Sequence, residues 1–294
     1  MVSIGRVTLV VHDIDAVAAF YENEIGLHVV HKSGTKADLG TGDGTVLLSL
    51  HGNPAALLPE PRAAGLFHTA FLLPSRGDLG RWVRHALERG LVIVGAADHA
   101  VSEAVYLADP EGNGIEIYAD RPRDLWRWNH GEVEMPSDRL DMQVLAKAGA
   151  ERLWRGLPDG SVIGHVHLKV GGIASAEAFY RDILGLAVTC HYPGGSFLAA
   201  DGYHHHIAVN IWKSRGAKRI EAAVTGLAGL ELLVDPDRLS SIRMRAMAAG
   251  ISSPVDEGDR ITLADPWGIE INVVSRPRMP GGTLDKHGQP VVQR

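Results

Sequence analysis

Apolar residues alternate through IGRVTLVV near the start of the chain, switch to a helical spacing through IDAVAAFYENEI, and stop at Gly26. A period of two, then one near 3.6, then a glycine predicts a strand, a helix and a left-handed stop. The pattern returns at 163–189, where IGHVHLKVGGIASAEAFYRDILGLAVT matches 4–30 at 12 of 27 positions, offset by 159 without a gap. The halves are a duplication. FHTAFLLPSRGDLGRWVRHALERG, ending at Gly90, and LELLVDPDRLSSIRMRAMAAG, ending at Gly250, repeat the strand–helix–glycine order within each half. Short β-rich runs follow every helix, among them TVLLSLH, AVYLADPEGNGIEIY, HHIAVNIW and RITLADPWGIEINVV. Four βαβββ units are therefore expected, in an α+β fold.

One such unit cannot cover both faces of its small sheet, so units are expected to pair edge to edge and curl into open cups whose inner strand positions face a cavity. Residues 1–120 and 161–275 then form two tandem domains of two units each. The polar, Pro-bearing stretch 121–160 reads as a linker with one helix near Leu140–Ala150, and the Pro/Gly-rich 276–294 as an extended tail.

Composition narrows the partners. Twenty-nine Lys plus Arg against 35 Asp plus Glu leave −6 over 294 residues, with no block of like charge. Nothing draws the chain toward nucleic acid or anionic lipid, so a small-molecule partner is expected. No apolar run approaches a membrane span, and Asp13 interrupts the first one before a signal-peptide core, so the expected location is cytoplasmic. Cys190 stands alone, which removes an internal disulfide and thiolate metal clusters. Assembly into a homo-oligomer is left open.

The chemistry lies in the 15 histidines and a few inward carboxylates. Strand alternation puts Gly114, Glu116 and Tyr118 on one face, and a mid-strand carboxylate is costly to bury unless a cation or several donors meet it. His68, on the first strand of the same unit, shares a face with Ala70 and Leu72. Alone, Glu116 reads as an edge salt bridge and His68 as a structural histidine; together they make two-thirds of a metal site. Unit four, 221–275, has neither His nor Tyr: it keeps Glu270, but Gly229 or its neighbour stands for His68 and Thr262 for Tyr106. Unit one has Arg6 where unit three has His165. The third ligand is thus expected from unit three, as His165 or His167, which requires units two and three to share the metal-bearing cup. Two imidazoles and one carboxylate suit Fe(II), with Mn(II) as the substitute, and leave three adjacent positions open.

Tandem βαβββ units with GH opening a strand and DPEGNGIEIY closing a later one resemble the vicinal oxygen chelate superfamily, which includes glyoxalase I, bleomycin-resistance proteins and type I extradiol dioxygenases. From about residue 4 to 275, the pattern, with VSEAVYLADPEGNGIEIYADRP and YHHHIAVNIW, is similar to the two-domain catechol 2,3-dioxygenases of the Bacillus type. The resemblance selects His165, which follows Gly164, as the ligand completing His68 and Glu116. It implies that His205 is the acid/base, with His204 and His206 in reserve, and that Tyr106 and His99 hydrogen-bond the substrate oxygens. Strand parity, applied to Tyr203–His206 as the start of a strand, aims His205 opposite to both neighbours.

The implied reaction is Fe(II)-dependent extradiol (meta) cleavage of a catechol, a small aromatic diol, by O2 to a 2-hydroxymuconic-semialdehyde-type product. A glyoxalase-type isomerase or lyase in the same cup would need a second inward carboxylate, and unit three offers none near His205–Trp212. A small-molecule binder of the bleomycin-resistance type would not need His68, His165 and Glu116 together.

Overall fold

The computed structural model describes residues 1–219 and 223–276, so the expected tail lies outside the described residues from 277 onward. Unit one comprises β1 (Ser3–Val11), α1 (Ile14–Phe20), β2 (His28–Ser33), β3 (Lys36–Gly40) and β4 (Val46–Gly52). Unit two follows as β5 (Gly65–Leu72), α2 (Arg76–Arg89), β6 (Gly95–Asp98), β7 (Ser102–Ala108) and β8 (Gly114–Asp120). The connecting stretch holds β9 (Trp128–Asn129), β10 (Glu132–Val133), β11 (Asp138–Arg139) and α3 (Met142–Ala148), the last where one helix was expected. Unit three is β12 (Val162–Lys169), α4 (Ile173–Glu177), β13 (Ala187–Tyr192), β14 (Gly195–Ala199) and β15 (Ile207–Asn210). Unit four is β16 (Gly226–Val234), α5 (Pro236–Ala248), β17 (Asp256–Glu257), β18 (Arg260–Ala264) and β19 (Glu270–Ser275). No described helix is long and apolar enough to cross a membrane.

The duplication is visible in detail. α1 and α4 each run into a π-helical turn, Tyr21–Ile25 and Ala178–Ile183, and Gly26 and Gly185 end these turns at φ values of 87° and 75°. Only glycine takes that left-handed conformation without a steric cost.

The two curled sheets cross the halves. One runs β17-β18-β19-β16-β1-β4-β3-β2 and joins units four and one; the other runs β11-β6-β7-β8-β5-β12-β15-β14-β13 and joins units two and three. β11, from the connecting stretch, extends the edge of the second sheet by pairing with β6. Within each half the units are tied differently. The Tyr180 hydroxyl donates to Asp265 at 3.0 Å, and Tyr21 makes the corresponding bond to Asp109, so each Asp-Pro turn of the later unit is pinned by the tyrosine of the earlier helix.

Helix α2 shows why the second sheet keeps one face dry and the other open. Ser75 caps it by accepting from the Asp78 amide, and Trp82, Val83 and Ala86 are buried on its inner face. They belong to the core that includes Phe71, Ile115, Ile117 and Val166 of the sheet. The alternate residues of those strands point the other way, into the cup.

Candidate metal centre and substrate cavity

Four strands place one row of side chains across the cup. Tyr106 on β7 pairs with Glu116 on β8, Glu116 with Ala70 on β5, and Ala70 with His165 on β12. Paired residues in adjacent strands share a face, so Tyr106, Glu116 and His165 all project into the cup, with the small Ala70 between the last two. His68 lies two residues before Ala70 on the same face, opposite His167.

His68, Glu116 and His165 therefore converge, each offering one ligand atom within 4.8 Å of the others. Glu116 Oε2 lies 2.9 Å from His68 Nε2 and 3.1 Å from His165 Nε2. All three residues are buried, Glu116 to 3% exposure. Burial raises the Glu116 carboxyl, but the facing imidazoles of His165 and His68 outweigh it and hold it well below the usual carboxylate range. Burial lowers His165 to about 4 despite Glu116. An ionised carboxylate beside neutral imidazole is a ready donor set for a divalent ion. Among the described residues, His68 Nε2 is buried against Glu116 at 2.9 Å without hydrogen-bond alignment toward it, and His165 Nδ1 is buried without a hydrogen-bond partner. A cation would satisfy the first of these and compensate the charge of Glu116, so the residues fit a 2-His-1-carboxylate metal.

His167 lies beside this cluster. Its Nε2 accepts from the Asn210 side-chain amide at 2.9 Å, which commits that nitrogen, and its ring stands 4.9 Å from that of His68. The geometry brings together His68, Glu116 and His165 rather than a set with His167.

The three candidate ligands open into a cavity of about 490 Å³. His99, Tyr106 and His205 line it, together with an aromatic wall of Phe67, Phe197, Tyr192 and Trp212. Tyr106 and His99 are paired, the hydroxyl 2.7 Å from His99 Nε2, while His99 Nδ1 lies 2.7 Å from the Pro136 carbonyl. A carbonyl only accepts, so a neutral His99 carries its proton on Nδ1 and accepts the Tyr106 hydroxyl at Nε2. Burial, and then the Glu116 carboxylate, push the Tyr106 phenol well above its ordinary value.

The three consecutive histidines correct the parity argument. β15 begins at Ile207, so residues 203–206 are irregular and do not alternate. All three imidazoles are buried. His205 faces the cavity with its ring 4.0 Å from that of His165. His204 turns away to Asp120, and His206 accepts from the Ala200 amide. Burial, followed by the neighbouring imidazoles, keeps the His205 pKa well below the ordinary histidine value.

Gly164 allows the strand that carries His165 to sit where it does. A Cβ at this position would fall 1.7 Å from the Tyr118 hydroxyl oxygen. The absence of a side chain lets Tyr118 stand beside His165, ring centroids 4.9 Å apart.

The other cup lacks this arrangement. Glu270 pairs with Gly229, as Glu116 does with Ala70, but the residue two before Gly229 is Leu227, which fills the place of His68. The DPWGIE turn is two residues shorter than DPEGNGIE, and Ala264, not Thr262, lies opposite Glu270. Glu270 is exposed, and Arg6 pairs instead with Glu231 at 2.6 Å.

Sequence reasoning missed Asp120 and the aromatic wall. Asp120 shares strand parity with Glu116 and Tyr118, so extending the alternation by one step would have aimed it at the same side.

Residues 3–117 match the model of the glyoxalase/bleomycin resistance protein/dioxygenase superfamily. The chain is 42% identical over 255 residues to catechol-2,3-dioxygenase of Bacillus subtilis (strain 168), covering 85% of this chain and 89% of that one. It is 29% identical over 164 residues to biphenyl-2,3-diol 1,2-dioxygenase 3 of Rhodococcus globerulus, covering 54% and 86%. Among solved structures, glyoxalase I from Zea mays shares the fold, with a TM-score of 0.57 at 13% identity over 94% of this chain and 92% of that one.

Proposed function

Since this chain belongs to the glyoxalase/bleomycin resistance protein/dioxygenase superfamily, we propose that it is an Fe(II)-dependent extradiol dioxygenase that cleaves the ring of a catechol beside its diol. The observation that carries this reading is the convergence of His68, Glu116 and His165 at the floor of an aromatic-walled cavity that also presents His99, Tyr106 and His205. Its product is of the 2-hydroxymuconic-semialdehyde type, and its place is in the catabolism of aromatic compounds in the cytoplasm. Mn(II) is the substitute metal.

Fe(II) held by the three residues would supply the electron chemistry that a diol and O2 lack on their own. The protein's part is binding, orientation and proton handling. Phe67, Phe197 and Trp212 enclose an aromatic ring and displace water. His205, neutral at ordinary pH, takes a diol proton and returns it to the product. Tyr106 remains a phenol held by His99, and its hydroxyl turns from His99 to donate to the substrate oxygen where charge develops.

The test is direct. Protein loaded with Fe(II) under nitrogen and mixed with simple and substituted catechols should give a yellow ring-fission product on adding O2, one O2 consumed per diol. If no catechol is cleaved and a hemithioacetal is isomerised instead, the isomerase reading replaces this one.

A further inference from the structure

A buried chain of hydrogen bonds runs behind His205. His204 Nε2 lies 2.9 Å from Asp120 Oδ1, and His204 Nδ1 lies 2.8 Å from His205 Nδ1. Tyr203 donates its hydroxyl to Asp120, and the Tyr118 hydroxyl stands 2.9 Å from that of Tyr203. His204 is fully buried and held on every side. Tyr203 stacks on it at 4.1 Å, Trp126 meets it edge-on at 5.1 Å, and Thr189 Oγ1 donates to its carbonyl.

Proton counting gives the chain a direction. An ionised carboxylate only accepts, so the single proton of a neutral His204 sits on Nε2, facing Asp120. His204 Nδ1 is then an acceptor, and the proton of the short contact between the two rings belongs to His205 Nδ1. A neutral His205 has no second proton, so the nitrogen left for the cavity, Nε2, is bare.

We infer that Asp120, acting through His204, is a positioning residue that fixes His205 in the Nδ1–H form and so presents an unprotonated Nε2 to the substrate. This rests on the role proposed for His205 in ring cleavage. The tautomer itself is a property of the resting protein. Without the relay, either nitrogen of His205 could carry the proton, and the Nε2–H form has no lone pair to offer a diol hydroxyl. Asp120 thus selects the competent form without touching substrate.

The experiment is long-range ¹H–¹⁵N NMR of histidine-labelled protein, recorded metal-free and with Zn(II) in place of iron, with His205 assigned by its loss in His205→Phe. The wild type should show His205 protonated at Nδ1 and bare at Nε2; the Nε2–H form, which a charged His204 would impose, would overturn the inference even if no variant folds. In Asp120→Asn, whose carboxamide no longer commits the His204 proton, the Nε2–H form of His205 should appear. An unchanged Nδ1–H form would contradict the proposal. In the iron-loaded enzyme, Asp120→Asn should lower kcat about 10-fold or more with KM unchanged, and should cost nothing further in the His205→Phe background. Equal losses in both backgrounds would make Asp120 merely structural. A wild type without ring-cleavage activity but with the Nδ1–H form would remove the proposed reaction and leave the relay standing.

Discussion

Glu116 and His165 meet at 3.1 Å across a row of paired strands, although they belong to different halves of the duplicated chain. Neither half alone holds the three candidate ligands. β5 supplies His68, β8 supplies Glu116, and β12, which opens the second half, supplies His165.

His205 is the residue whose loss should separate chemistry from binding. His205→Phe should still take up iron and catechol, because it lies outside the ligand set, yet ring cleavage should slow by about 10²–10⁴-fold. Anaerobic catechol titration followed by single-turnover product formation after adding O2 checks this. Normal turnover would move the proton role elsewhere. His206→Phe should do much less, since His206 faces the Ala200 amide rather than the cavity.

Much of this is legible in the sequence. The offset duplication, the strand–helix–glycine order and the lack of His and Tyr in unit four pointed to a cup shared by units two and three, the pairing found in the sheet. Local pattern could not show the register. Two residues fewer in the turn before Glu270 change its cross-strand partner, which no alternation rule reveals. Nor could it show that residues 203–206 leave the strand geometry, so that three neighbouring histidines serve three different partners. The aromatic wall was unreadable for a related reason: Phe67, Tyr192, Phe197 and Trp212 come from four separate strands and loops.

Gly164→Ala should be destabilising by about 1–3 kcal/mol, the usual range for forcing extra volume into a packed site. The clash falls on a hydroxyl, so adding Tyr118→Phe should recover part of the loss. Urea unfolding of the single and double variants measures it, and equal stability of the two would remove the hydroxyl as the cause.

Burial lowers His206 to about 3, and the nearby His204 and Arg123 reinforce the effect. The folded protein therefore keeps His206 neutral where the unfolded chain protonates it. Its contribution is present in full above the ordinary histidine value, about 6.5, and is lost as pH falls from there toward 3. Replacing His206 by Asn keeps an acceptor for the Ala200 amide but removes the titration. Unfolding free energies of metal-free protein should then fall less steeply between pH 6.5 and 5 in His206→Asn than in wild type. Parallel slopes would place the acid sensitivity on other groups.

One metal should bind, and only in the cup of units two and three. Iron content after anaerobic loading and desalting tests it most directly, compared across wild type, Glu116→Ala and Glu270→Ala. A single iron per chain is expected in wild type and in Glu270→Ala, and none retained in Glu116→Ala, which loses the charged candidate ligand. Full iron in Glu116→Ala, or its loss in Glu270→Ala, would contradict it.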